Sequence, residues 1–172
     1  MGKRNVLITG SAGRVASILQ QHWGDRYRLR LADPSPQADF YQSLLSLNII
    51  GGYNGFEAAR RAGSQRIVFA NSINAVLGYR GAEAVSWDVP VFPQNVYGAT
   101  KCFGEALGRV YADQHGLSCI SVRLGSPRFD QGGNWDPEKP SNRISPRDTA
   151  QLFARCSAAI AVTAFPTFHT IK

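Results

Sequence analysis

The residues best suited to chemistry are Tyr97 and Lys101, four apart in Tyr97-Gly98-Ala99-Thr100-Lys101. On a helix that spacing sets the two side chains next to each other on one face. A free phenol ionises near pH ~10, and a neighbouring ammonium favours the phenolate and lowers that value. Such a tyrosine can exchange protons near neutrality. Alone, the pair equally describes a packed tyrosine beside a solvated lysine, so its company decides. Ser72 lies 25 residues earlier, at the end of the apolar run Gln65-Arg66-Ile67-Val68-Phe69-Ala70-Asn71-Ser72. Strand ends of this kind are where open α/β sheets place ligands. Asn48 falls inside an apolar, helix-like segment, where an amide either supports chemistry or is satisfied by local hydrogen bonds.

The elements that must position these residues begin at the N-terminus. Asn5 to Thr9 is a short β-prone run, followed by Gly10-Ser11-Ala12-Gly13-Arg14-Val15-Ala16 and a helical stretch from Ser17 to Trp23. Gly10 permits a tight turn, Gly13 allows backbone to approach a pyrophosphate, and small Ala16 lets helix and strand pack closely. Helix N-terminal amides then face the phosphates. A second strand, Tyr27 to Ala32, delivers Asp33, 23 residues after Gly10. A carboxylate there accepts hydrogen bonds from an adenosine ribose and repels a 2′-phosphate, favouring NAD over NADP. Asp33 also suits a turn residue before Pro34, and Arg28 and Arg30 keep NADP as the lesser alternative.

Gln42 to Ala62 reads as a long helix interrupted by Gly51, Gly52 and Gly55, which suggests close approach of a second helix or a subunit. Gly63 reads as its cap, the Tyr97 helix runs to about His115 with Gly116 as cap, and Leu117 to Gly125 is a further strand. Ser145-Pro146-Arg147-Asp148 starts a helix reaching about Ala159, and Phe165 to Ile171 supplies one more strand. Alternating strands and helices predict an α/β, Rossmann-like, doubly wound parallel sheet.

Composition sets the outer bounds. The 172 residues, 44% hydrophobic and 18% charged, suit one globular domain over 1–172. No apolar run approaches the ~20 residues of a membrane span, and Met1 to Arg4 lead directly into a strand, so a cytoplasmic protein without a membrane partner is expected. Cys102, Cys119 and Cys156 read as free thiols. The net charge of +7 is carried by scattered arginines; this suits anionic small molecules better than nucleic acid. His22, His115 and His169 are dispersed, so no metal site is expected. Trp23, Trp87 and Trp135 read as packing residues.

Four segments together carry a family resemblance: Leu7 to Gly13, Asn48 to Asn54, Arg66 to Ser72, and Tyr97 to Glu105. The chain resembles an extended short-chain dehydrogenase/reductase of the NAD-dependent epimerase/dehydratase group, most of all its uronate dehydrogenase branch. The resemblance covers most of residues 4 to 126. It implies an NAD-dependent enzyme that moves hydride between nicotinamide and a sugar or sugar-acid carbon, with Ser72, Tyr97 and Lys101 as catalytic triad and Asn48 completing a tetrad. It further implies cofactor contacts at Gly10, Ala12, Gly13, Arg14, Val15, Asp33, Tyr97 and Lys101, and substrate contacts at Ser72, Asn74 and Ser126. Relatives pair through the two helices that here start at Gln42 and carry Tyr97, which implies a homodimer. The alternatives are a nucleotide-sugar epimerase or dehydratase with the same triad, and a noncatalytic dinucleotide-binding protein.

The pattern breaks between Asp33 and Tyr41, where seven residues stand in place of the family's third strand, a helix and the fourth strand. In the family's strand order the fourth strand lies between the first strand and the one ending at Ser72, and neighbouring strands sit about 4.8 Å apart. Either these strands close up or a segment is absent from the sequence; the abrupt junction after Asp39-Phe40 favours the second. Residues 126–172 are likewise a shortened substrate-binding portion. The substrate-binding arginine of the uronate branch has no clear counterpart: Glu138 falls near its position, and Arg128 and Arg143 are out of register.

Overall fold

The computed structural model describes residues 3–32, 43–79, 85–86, 88–127, 143–158 and 168–171. The chain divides into two compact units, one made of residues 1–36 and 125–155, the other of 37–124 and 156–172.

In the first unit, β1 (Arg4–Thr9) pairs in parallel with β2 (Tyr27–Ala32), and α1 (Arg14–Trp23) connects them. Helix α1 starts three residues before the expected Ser17, directly after the glycine turn. Its buried residues are Ala16, Ile18, Leu19 and Trp23, at helical spacing, so one face enters the core. The Trp23 ring packs 4.7 Å from that of Tyr27, and its Nε1 donates to the Ala150 carbonyl at 3.2 Å. Ala150 belongs to α4 (Pro146–Ala158), whose start matches the sequence expectation. Ser145 Oγ accepts from the Asp148 main-chain N–H at 3.0 Å and donates to the Asp148 carboxylate at 2.8 Å, satisfying a donor the helix would otherwise leave orphaned. Two short strands, β5 (Ser126–Pro127) and β6 (Arg143–Ile144), pair in parallel in the same unit.

The second unit holds a three-stranded parallel sheet in the order β3-β4-β7, from β3 (Arg66–Ser72), β4 (Ser118–Leu124) and β7 (Phe168–Ile171). Strand β4 is buried along its whole length, as befits the central strand of a parallel sheet. The helical stretch expected from Gln42 begins, in the described residues, with a π-helical segment, Leu44–Ile50, and continues as α2 (Gly51–Arg61). The Gly51 N–H donates to the Ser46 carbonyl, five residues back, which widens this turn. Phe56 from α2 and Tyr111 from α3 (Val96–His115) meet with ring centroids 5.4 Å apart over Leu117 and Cys119. Gly63 and Gly116 adopt φ of +65° and +67° just past their helices, as expected of caps.

Among the described residues, no strand joins the β1-β2 ladder to the β3-β4-β7 ladder. The described residues form the expected α/β, Rossmann-like arrangement of parallel strands and helices. No described helix is long and apolar enough to cross a membrane.

Candidate active site

In the second unit, the end of β3, the 3₁₀ segment Ile73–Tyr79 and the first two turns of α3 bring four expected residues together. Two glycines set this approach. A Cβ on Gly98 would collide with the main-chain oxygen of Asn74, and one on Gly104 would enter the Phe69 ring. Gly98 thus lets the start of α3 lie against the Ile73–Tyr79 segment, and Gly104 leaves room for the Phe69 ring of β3. By contrast, Gly52 and Gly55 of α2 meet nothing within 4 Å of an added Cβ among the described residues.

Ser72 is buried at the end of β3, and its Oγ accepts two hydrogen bonds from Asn74, from the main-chain N–H at 3.2 Å and from Nδ2 at 3.0 Å. Tyr97 is half-buried in the first turn of α3. Burial pushes its phenol above the ordinary range, while a hydrogen bond with Ser72 draws it back. The expectation that Lys101 lowers this value is therefore revised: desolvation is the larger influence. Lys101 places Nζ 5.6 Å from the Tyr97 ring centroid and 5.3 Å from that of Phe69, and donates to the Ala70 carbonyl at 3.0 Å. Burial lowers its ammonium to about 8, so it is still mostly protonated at neutrality.

Asn48 reaches the same helix from the π-helical segment. Its Nδ2 donates to Thr100 Oγ1 at 2.9 Å, and that hydroxyl donates to the Tyr97 carbonyl at 2.8 Å. Thr100 was not singled out in the sequence, although its place beside Lys101 was the available signal. Asn95 was also missed. It caps α3 by accepting from the Gly98 N–H at 2.7 Å, and its Nδ2 donates to Asn74 Oδ1 at 2.9 Å.

Behind Ser72 lies a buried polar group. Arg123 of β4 grips Glu105 of α3 through Nη2 to Oε1 at 2.7 Å and Nε to Oε2 at 3.0 Å. Asn71 donates to the same carboxylate at 2.6 Å and to Ser121 Oγ at 3.0 Å, and its Oδ1 accepts the Ser72 N–H at 2.7 Å. Sequence reasoning missed this pairing; the available signal was an arginine, Arg123, within the strand expected over Leu117 to Gly125.

The glycine turn of the first unit has the form expected of a phosphate cradle. Gly10 has φ +65°, Gly13 N–H donates to the Gly10 carbonyl at 2.9 Å, and a Cβ on Gly13 would lie 3.0 Å from that oxygen. Helix α1 begins at Arg14 with no side-chain cap, so the main-chain N–H groups around Arg14 and Val15 fit an anion. Ala12 sits at the turn, and Ser126 is half-buried in β5. Asp33, Glu138, Arg128, Trp87 and Trp135 lie outside the described residues; Arg143 is in β6. No group of three metal-binding side chains occurs among the described residues.

Comparison with known proteins follows this geometry. The sequence model of the NAD dependent epimerase/dehydratase family matches residues 31–145. A uronate dehydrogenase of Agrobacterium fabrum is 46% identical over 86 residues, half of this chain (50%) and 32% of that protein. Another, of Pseudomonas putida, is 37% identical over 161 residues, covering 70% of this chain and 60% of that protein. The chain thus spans only part of the length of these curated relatives. Among solved structures, a mutant uronate dehydrogenase from Agrobacterium tumefaciens in complex with NAD superposes with a TM-score of 0.76 at 27% identity, covering 98% of this chain and 77% of that one.

Proposed function

Because the chain belongs to the NAD-dependent epimerase/dehydratase family, we propose that it is an NAD-dependent oxidoreductase acting on a sugar or sugar acid. The observation that carries this reading is the convergence of Ser72, Tyr97 and Lys101, with Ser72 at the end of β3, Tyr97 and Lys101 on the first two turns of α3, and the Lys101 ammonium beside the phenol ring. NAD, when bound, supplies the acceptor for the substrate's hydride. Gly10, Ala12, Gly13, Arg14 and Val15 hold its pyrophosphate and Asp33 its adenosine ribose; NADP is the less favoured cofactor. Lys101 holds the nicotinamide ribose. Tyr97 takes the proton from the substrate hydroxyl as the carbon gives up hydride, and Ser72 donates a hydrogen bond to the same oxygen. Asn48 supports a water that relays protons from Lys101, and Asn74 and Ser126 contact the sugar.

Two further statements belong to the same proposal. The protein acts in the cytoplasm, and it works as a homodimer through the Leu44–Arg61 segment and α3. Leu45, Leu47, Ile50 and Tyr53 are 60%, 48%, 60% and 50% exposed on that segment, an apolar surface that a second copy would cover.

The test is to follow NADH absorbance with purified protein against uronates, aldoses and nucleotide sugars. Net NADH formation supports the dehydrogenase. Isomerised product without net NADH would replace it with an epimerase or dehydratase. The short stretch between Asp33 and Tyr41, where the family has two more strands and a helix, favours one other reading, a noncatalytic dinucleotide binder; NAD binding without turnover, unaffected by Tyr97→Phe, would establish that instead.

A further inference from the structure

The hydrogen bonds between α3 and Ser72 have a direction fixed at one end. A main-chain N–H only donates, so the Gly98 N–H at 2.7 Å obliges Asn95 to present Oδ1 to it. The Asn95 amide nitrogen then faces the other way and donates to Asn74 Oδ1 at 2.9 Å. That contact turns the Asn74 amide so that Nδ2 meets Ser72 Oγ at 3.0 Å, alongside the Asn74 main-chain N–H at 3.2 Å. A hydroxyl has two acceptor lone pairs and one hydrogen. Both lone pairs of Ser72 are taken.

We propose that Asn95 is a positioning residue: acting through Asn74, it makes the Ser72 hydroxyl an obligate hydrogen-bond donor toward Tyr97 and the substrate oxygen. The role of that donor rests on the oxidoreductase reading above; the polarity of the chain does not. Its rigidity comes from Gly98, which presses against the Asn74 carbonyl and fixes the start of α3 on the segment after β3.

Asn95→Asp separates this role from capping. Aspartate still accepts from the Gly98 N–H and is an equally good cap, but it has no donor for Asn74. Asn74 then turns Nδ2 toward the new carboxylate and Oδ1 toward Ser72, and the Ser72 hydrogen goes to Asn74. With 13C-labelled tyrosine and Tyr97→Phe to assign the signal, Tyr97 should titrate at higher pH in Asn95→Asp than in wild type. NADH production should fall by about tenfold or more with KM little changed, and the melting temperature should hold. Gln94→Asp places the same charge one residue earlier and should leave the Tyr97 titration and turnover as in wild type; Lys101, the charged group beside Tyr97, is unchanged in both variants. The proposal is overturned if Asn95→Asp titrates as wild type, or if Gln94→Asp shifts Tyr97 as far. If wild-type protein oxidises no sugar, the oxidoreductase reading fails while the titration still decides the polarity.

Discussion

Replacing Glu105 by Gln should unfold this protein more readily than any surface change, because it removes the carboxylate that neutralises the buried Arg123 guanidinium. The Arg123 side chain is 3% exposed and that of Glu105 11%, so water can solvate neither well. Removing one partner of such a pair typically costs about 3–5 kcal/mol. For a chain of 172 residues, each kcal/mol lowers the melting temperature by about 2–4 °C, so Glu105→Gln should lose roughly 6–20 °C. Arg123→Met should cost a similar amount, since Glu105 would keep only Asn71 at 2.6 Å and Ser121 at 3.5 Å. The double variant Glu105→Leu/Arg123→Met removes both charges and should recover most of the loss, to within about 2 kcal/mol of wild type. Asn71 would still lack its carboxylate partner, and its hold on the Ser72 N–H would loosen, so the recovered protein should turn over more slowly. The assay is a double-mutant cycle by urea and thermal denaturation, with NADH production measured on each variant. Single variants that cost under about 1 kcal/mol, or a double variant as unstable as the sum of the singles, would refute the reasoning.

Other outcomes follow from the same geometry. Gly98→Ala forces a methyl group into the Asn74 carbonyl; activity should drop sharply for a stability loss of about 1–3 kcal/mol, read by melting and turnover together. Burial lowers Lys101 from its ordinary 10.5 to about 8, so the unfolded chain binds more protons between those values and stability should rise as pH climbs through that window. The buried thiols of Cys102, Cys119 and Cys156, shifted upward from 9.0, and Tyr97, shifted upward from 10.0, oppose this rise once pH passes those values; in urea titrations between pH 8 and 10, wild type should therefore gain stability relative to Lys101→Met as pH climbs. Ile50→Asp places a charge on the exposed apolar surface of the segment before α2 and should convert a dimer to monomer in light scattering, with the melting temperature of the monomer little changed.

The legible features were those written in local sequence. Tyr97 and Lys101 share a helical face because they are four apart, Ser72 ends an unmistakable strand, and the caps at Gly63, Gly116 and Ser145 follow from residue type alone. The features that escaped depend on neighbours distant in sequence. Asn71, Glu105 and Arg123 are separated by 34 and 18 residues along the chain and meet only when β3, α3 and β4 pack. Asn95 reads locally as a cap, but its link to Asn74, 21 residues away, is tertiary. The π-helical start of the Leu44–Arg61 stretch was hidden because apolar spacing near 3.6 residues does not register one widened turn. The phenol of Tyr97 was read from its lysine, yet burial by packing, invisible in the sequence, sets its direction.

The central claim is that Tyr97 carries the proton while hydride leaves the substrate, and one comparison tests it most directly: turnover and NAD affinity of wild type and Tyr97→Phe, measured side by side. Loss of the phenolic oxygen should cut NADH production by about 10²–10⁴-fold while NAD still binds with similar affinity. Turnover in Tyr97→Phe within a few fold of wild type would contradict the account.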